Sequence, residues 1–112
     1  MAAFELSVTP WPADEPAAER TIEARMQAED LPYYRWSNGP GDVYGVHRHD
    51  YHKVIYVVSG SITFDLPKNA RRIALATGDR LGLPAGVDHG AVVGPDGVVC
   101  LEGHQSLDPQ RS

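Results

Sequence analysis

One cysteine, Cys100, among 112 residues leaves no partner for an internal disulfide, so the fold must be held by its core, as in a protein of a reducing compartment. No apolar run approaches the eighteen residues that a membrane-spanning helix needs. The first twelve residues also lack the basic and hydrophobic regions of a secretory signal. A cytoplasmic location with no membrane partner is the expectation. Positive charge is in short supply: ten Lys and Arg stand against fifteen Asp and Glu, a formal net charge of −5. A nucleic-acid surface needs clustered cations that displace phosphate counterions, and the one basic cluster, Lys68 with Arg71 and Arg72, is too short for that. No nucleic-acid partner is expected. The length allows one core and not two.

Helical periodicity is scarce as well. Ala18, Ile22 and Met26 recur every four residues in a stretch rich in Ala, Glu, Arg and Gln, which predicts a single helix over residues 14–30, opened near Pro16 and ended before Pro32. Its apolar stripe is narrow, so it should lie against the outside of a sheet. Ahead of it, Phe4 to Val8 alternates apolar and polar residues and suits an added edge strand. From Tyr33 onward the texture changes to short β-rich runs separated by turn residues. Strands are expected at 33–36, 54–58, 62–66, 72–76, 79–83, 89–93 and 98–102, with Gly94-Pro95-Asp96-Gly97 reversing the last pair. So many short strands at this spacing indicate an all-β sandwich or barrel and argue against a parallel α/β architecture. The organisation expected is an arm and helix over 1–32, a barrel over 33–107 and a flexible tail over 108–112.

The chemistry-bearing residues are histidines. His47 and His49 flank Arg48, and in extended chain alternate side chains share a face, so the two imidazoles point one way and Arg48 the other. His89 follows a tight turn, Leu83-Pro84-Ala85-Gly86, from which a second strand can carry a third imidazole to the same place. Any one of these histidines alone is more simply a surface or hydrogen-bonded residue. Together, His47, His49 and His89 predict a shared metal or ligand pocket, and neutral imidazoles suit a divalent transition metal. Three imidazoles leave positions open to water or substrate, as a catalytic ion requires. His52 is placed in the turn after the pair, facing solvent. His104, near the end of the last strand, is a candidate ligand-binding residue at the barrel mouth.

Written as spacings, the first block is Gly41-x5-His47-x-His49-x3-Lys53-x6-Gly60 and the second is Gly78-x5-Pro84-x-Gly86-x2-His89-x3-Val93. Over roughly residues 41 to 103 the chain resembles the cupin family, whose motifs read G-x5-H-x-H-x3-4-E-x6-G and G-x5-P-x-G-x2-H-x3-N. Two positions depart: Lys53 stands where the family has glutamate, and Val93 where it has asparagine. The resemblance implies a cupin-like antiparallel β-barrel, or jelly roll, enclosing a metal or ligand pocket. It implies no particular reaction, because the family includes oxygenases, isomerases, storage proteins and sugar-binding modules.

Lys53 limits what carries over. An ammonium about 5 Å from a divalent ion is repelled by about 6 to 7 kcal/mol at an effective dielectric near 20. Three outcomes are compatible with that: Lys53 turns away and leaves a three-histidine site; it stays as a neutral amine able to act as a base; or no metal binds and the ammonium pairs with an anionic ligand. The first is the expectation. Val93 should make the pocket wall apolar, together with Ile55, Val57 and Ala91, with Tyr44, Phe64 and Trp36 at a rim. The function expected is a small single-domain cupin binding Fe, Zn, Mn or Ni through His47, His49 and His89, with a small organic ligand near Lys53 and His104, acting as a dioxygenase or isomerase. The alternative is a non-catalytic small-molecule binding module without metal. An outward Tyr56 and uncovered sheet edges suggest a homodimer.

Overall fold

The computed structural model describes residues 4–107; the tail expected at 108–112 lies outside them. Seven strands and one α-helix follow in the order β1 (Ser7–Thr9), α1 (Glu19–Ala28), β2 (Tyr33–Asn38), β3 (Val43–His47), β4 (Tyr51–Leu66), β5 (Arg71–Ala76), β6 (Arg80–Leu83) and β7 (His89–Ser106), with one 3-10 turn, Pro67–Asn69, between β4 and β5. Every strand pairing is antiparallel. The arm expected at the N-terminus does add an edge strand, β1 against β6.

Two long strands, β4 and β7, organise the molecule. Four expected strands merge into these two, and the Gly94–Gly97 segment continues β7 instead of reversing it. Lys53–Tyr56 of β4 pairs with β6, and Ser61–Leu66 of the same strand pairs with β5. Likewise the first part of β7 pairs with β3 and its second part with β2. The two strands pair with each other throughout, with register shifts between Val57 and Ser59 and between Gly60 and Ile62. At those bulges both strands pass from one layer, β1-β6-β4-β7-β2, to the other, β5-β4-β7-β3. This is an antiparallel jelly roll. The sheet is not closed, since β1, β2, β3 and β5 each pair with one neighbour only.

Gly60 makes the passage possible. Its φ is +77°, and a Cβ there would collide with the carbonyl of Gly97 on the partner strand. Only glycine meets both demands.

Alternation along the strands then sets the core. Ile55, Val57, Ile62, Phe64, Leu66, Leu75, Leu81, Leu83, Val93 and Cys100 point between the layers, all nearly or fully buried. A second cluster lies outside the first layer, where Ile22 and Met26 of α1 cover Val54, Tyr56, Val58 and Leu101. The helix therefore packs where its narrow stripe predicted. It is shorter than predicted, because Asp14 to Ala18 stays non-helical, consistent with the extended preference of a residue before Pro16. Glu29, just past its end, accepts hydrogen bonds from Tyr56 Oη at 2.8 Å and from Arg80 at 2.8 and 3.1 Å. Tyr56 points out of the sheet as expected but is covered by this helix, 6 % exposed, and so offers no surface for pairing.

Candidate metal centre

His47 ends β3 and lies opposite His89, which begins β7. His49 sits in the connection to β4, where the Gly86 N–H donates to its backbone carbonyl at 2.8 Å. Gly86 has a φ of +80°, so the turn that delivers His89 also fixes the backbone of His49. The predicted parity holds: Arg48 turns outward to a salt bridge with Asp88 at 3.0 Å. The three imidazoles converge, each offering a ligand nitrogen within 4.8 Å of the others.

Their hydrogen bonds set which nitrogen faces inward. Among the described residues the only acceptor on His47 Nδ1 is the Gly45 carbonyl at 2.7 Å, and on His89 Nδ1 the Val87 carbonyl at 2.9 Å. Each Nδ1 therefore carries the proton and leaves Nε2 bare, the arrangement that prepares an imidazole to ligate. His49 Nε2 lies 3.1 Å from His47 Nε2 and 3.3 Å from Lys53 Nζ. An ammonium only donates, so His49 Nε2 is the acceptor, and with both rings in the neutral form that ligates a metal, two lone pairs face each other across 3.1 Å. That separation matches two nitrogens each about 2.0–2.1 Å from one ion. The donor set fits a transition metal.

Lys53 does not turn away. It is 9 % exposed, on the pocket wall, with its ammonium 3.5 Å from Glu102 Oε2. Glu102, 5 % exposed, is the hub of the site and was not anticipated. Its Oε2 also accepts from Tyr34 Oη at 2.8 Å and meets His104 Nε2 at 2.6 Å, and its Oε1 accepts from Trp36 Nε1 at 3.0 Å. The signal was present in the sequence: Val98, Cys100, Glu102 and His104 share one strand face, and two of them are core residues. His104 touches the pocket through Glu102 and through the ring of Tyr51, 4.1 Å away between centroids.

His52 is not a solvent-facing turn residue. It lies in β4 on the face opposite Tyr51 and Lys53, where its Nδ1 accepts from the Ala85 N–H at 3.0 Å and its ring stacks on Phe4 at 4.4 Å. Its work is to pin the turn that precedes His89.

The cavity has a volume of about 330 Å³. Ile55, Ile62, Phe64 and Ala91 form its apolar wall, with Trp36 and Tyr44 packed edge to face on one side. Val57 and Val93, expected on that wall, belong to the core instead. Tyr44 also hydrogen-bonds Asn38. Burial, then the charge of Lys53 and the neighbouring imidazoles, push His49 down to about 4, and burial lowers His89 as well. Burial raises the Glu102 carboxyl, but Lys53 and the bonds from His104 and Tyr34 outweigh it and hold the group below the usual carboxylate range. Cys100 has no part in the site: it is fully buried, and burial pushes its thiol up to about 12.

Comparison with known proteins agrees with this fold. No curated protein sequence matches the chain. Among solved structures, an RmlC-like cupin from Shewanella frigidimarina is 27% identical at a TM-score of 0.59, over 73% of this chain and 71% of the other. KdgF from Halomonas sp. is also 27% identical, at a TM-score of 0.57 over 71% and 73%. The polyketide cyclase RemF from Streptomyces resistomycificus is 25% identical, at a TM-score of 0.61 over 70% and 64%. The family model for the cupin domain matches residues 34–102, well over half of the sequence, and with the histidine spacing, the jelly roll and these neighbours the chain belongs to the cupin family.

Proposed function

We propose that this cupin holds a divalent transition metal, Fe, Zn, Mn or Ni, on the Nε2 atoms of His47, His49 and His89, and acts on a small organic molecule bearing an oxyanion. The observation that carries this reading is the convergence of three imidazoles beside an ammonium in a largely apolar cavity. When bound, the metal would supply Lewis acidity toward an oxygen of the ligand. The residues of the chain do the rest. Lys53 offers a second positive group to the same oxyanion, the Trp36 and Tyr44 rings suit a flat molecule, and Ile55, Ile62 and Phe64 exclude water. Tyr34, Glu102 and His104 form a connected set of hydrogen bonds along which a proton can leave the cavity.

Such a site favours proton-transfer chemistry of the isomerase type over a dioxygenase. The names of two neighbours lean the same way: RemF is a polyketide cyclase, and another structure, 31% identical over 67% of this chain and 37% of its own, is of DMSP lyases. Metal analysis of protein purified without chelator tests the first half. One equivalent, or uptake to one on titration, is expected; less than about a tenth of an equivalent with no uptake would remove the metal reading. An oxygen-uptake screen of the iron-loaded protein separates the chemistries, since consumption with any phenolic, thiol or diketone substrate would favour the dioxygenase.

The second reading is a metal-free binding module, and the bond from Lys53 to His49 Nε2 favours it. Thermal stabilisation of chelated protein by carboxylates, equal to that of the loaded protein, would select it. A cytoplasmic location and a homodimer are part of the proposal. No helix among the described residues is long and apolar enough to cross a membrane, and four strands leave an edge open for pairing. Light scattering on a gel-filtration peak checks the pairing, and a single 12.2 kDa species would end that part.

A further inference from the structure

In the cupin motif a carboxylate stands beside the imidazoles at the position that Lys53 fills here. This chain has its pocket carboxylate elsewhere, on β7: among the described residues Glu102 is the one acidic residue lining the cavity. Both of its oxygens are engaged by the part-buried donors Tyr34, Trp36 and His104, so rotating into a ligand role would break three hydrogen bonds at once. The ammonium of Lys53 lies 3.5 Å from this carboxylate and 3.3 Å from His49 Nε2, bridging the acid and the imidazole cluster.

We propose that Glu102 is a positioning residue for the metal centre: it holds the ammonium of Lys53 and offsets its charge, so that a divalent ion and a lysine can occupy one pocket. The inference rests on the metal reading above. Glu102 acts through Lys53 and not as a ligand. A divalent ion beside His49 displaces the Lys53–His49 bond, and the ammonium then has one anionic partner within reach, Glu102. Without that partner the full repulsion between ammonium and ion falls on the metal affinity.

The test is a double-mutant cycle read as Zn(II) affinity, by competition with a chelating dye at neutral pH, on wild type, Glu102→Gln, Lys53→Met and the double variant. Glutamine keeps the size of the side chain and an acceptor for Trp36. Glu102→Gln is expected to weaken Zn(II) binding by at least about tenfold in the wild type, yet by less than about threefold where Lys53 is already Met. A purely structural role for Glu102, or direct attraction of its carboxylate for the ion, would give the same loss in both backgrounds, and that result overturns the proposal, as does wild-type affinity in Glu102→Gln. Lys53→Met needs no folded Glu102 variant: it should bind Zn(II) more tightly than wild type, and weaker binding also overturns the proposal. No uptake by wild type would instead remove the metal reading itself, an outcome distinct from uptake that Glu102 does not influence.

Discussion

A proton on His49 meets an unfavourable neighbourhood. Its nearest polar groups are the Lys53 ammonium and another imidazole, and together with burial they hold it neutral down to about 4. An unfolded histidine takes up its proton near 6.5. Between those values the unfolded chain binds more protons than the folded one, so stability falls as pH falls, and His89 acts in the same direction. Glu29 and Glu102, both held below the usual carboxylate range, add to the loss once pH drops through their unfolded values. The thermal midpoint of chelated protein should therefore decline steadily from pH 7 to pH 4. A flat or rising profile would contradict the arrangement of charges around His49. Metal should also leave in this window, because ligand nitrogens and protons compete. At this scale the sequence was informative for the histidines, whose spacing alone places their side chains. It was uninformative for Lys53, whose orientation depends on a carboxylate 49 positions later in the chain.

Among the elements, β4 and β7 determine where everything else sits. The expectation of paired short strands was reasonable, since Ser59-Gly60 and Gly94-Pro95-Asp96-Gly97 are turn-forming by composition. Here they become bulges and bends inside continuous strands, because each long strand has hydrogen-bonding partners waiting in both layers. Whether such a segment reverses or continues is decided by those distant partners. Gly60 is where the design is least tolerant. Gly60→Ala combines a positive φ with a collision against a backbone carbonyl that cannot swing aside, so it should destabilise the fold by about 2–4 kcal/mol. Chemical denaturation measures this, and a loss under about 0.5 kcal/mol would mean that the strands cross differently. The helix shows the opposite case: its position followed from Ile22 and Met26, although Ala18, the third residue of the predicted stripe, is exposed at the N-cap, because a narrow apolar face has only a sheet exterior to cover.

For the whole molecule, the site draws on β2, β3, β4, β7 and the β3–β4 connection, so binding and folding are coupled. A metal at about a hundred times its dissociation constant adds about 2.7 kcal/mol to stability, which for a domain of this size is a rise of about 10 °C in thermal midpoint. Differential scanning calorimetry with and without Zn(II) checks it; unchanged midpoints would mean that the imidazoles do not share an ion. The sequence by itself determined the family, the all-β class, the helix on the outside and the three histidines. Each of these rests on spacing along the chain, and spacing translates directly into faces and turns. Only the tertiary structure decided that Lys53 stays inside, that Glu102 stands behind it, that His52 supports a turn and that Tyr56 lies under the helix. These depend on pairs of side chains remote in sequence, brought together by strand register and by the need to match each buried charge with a partner.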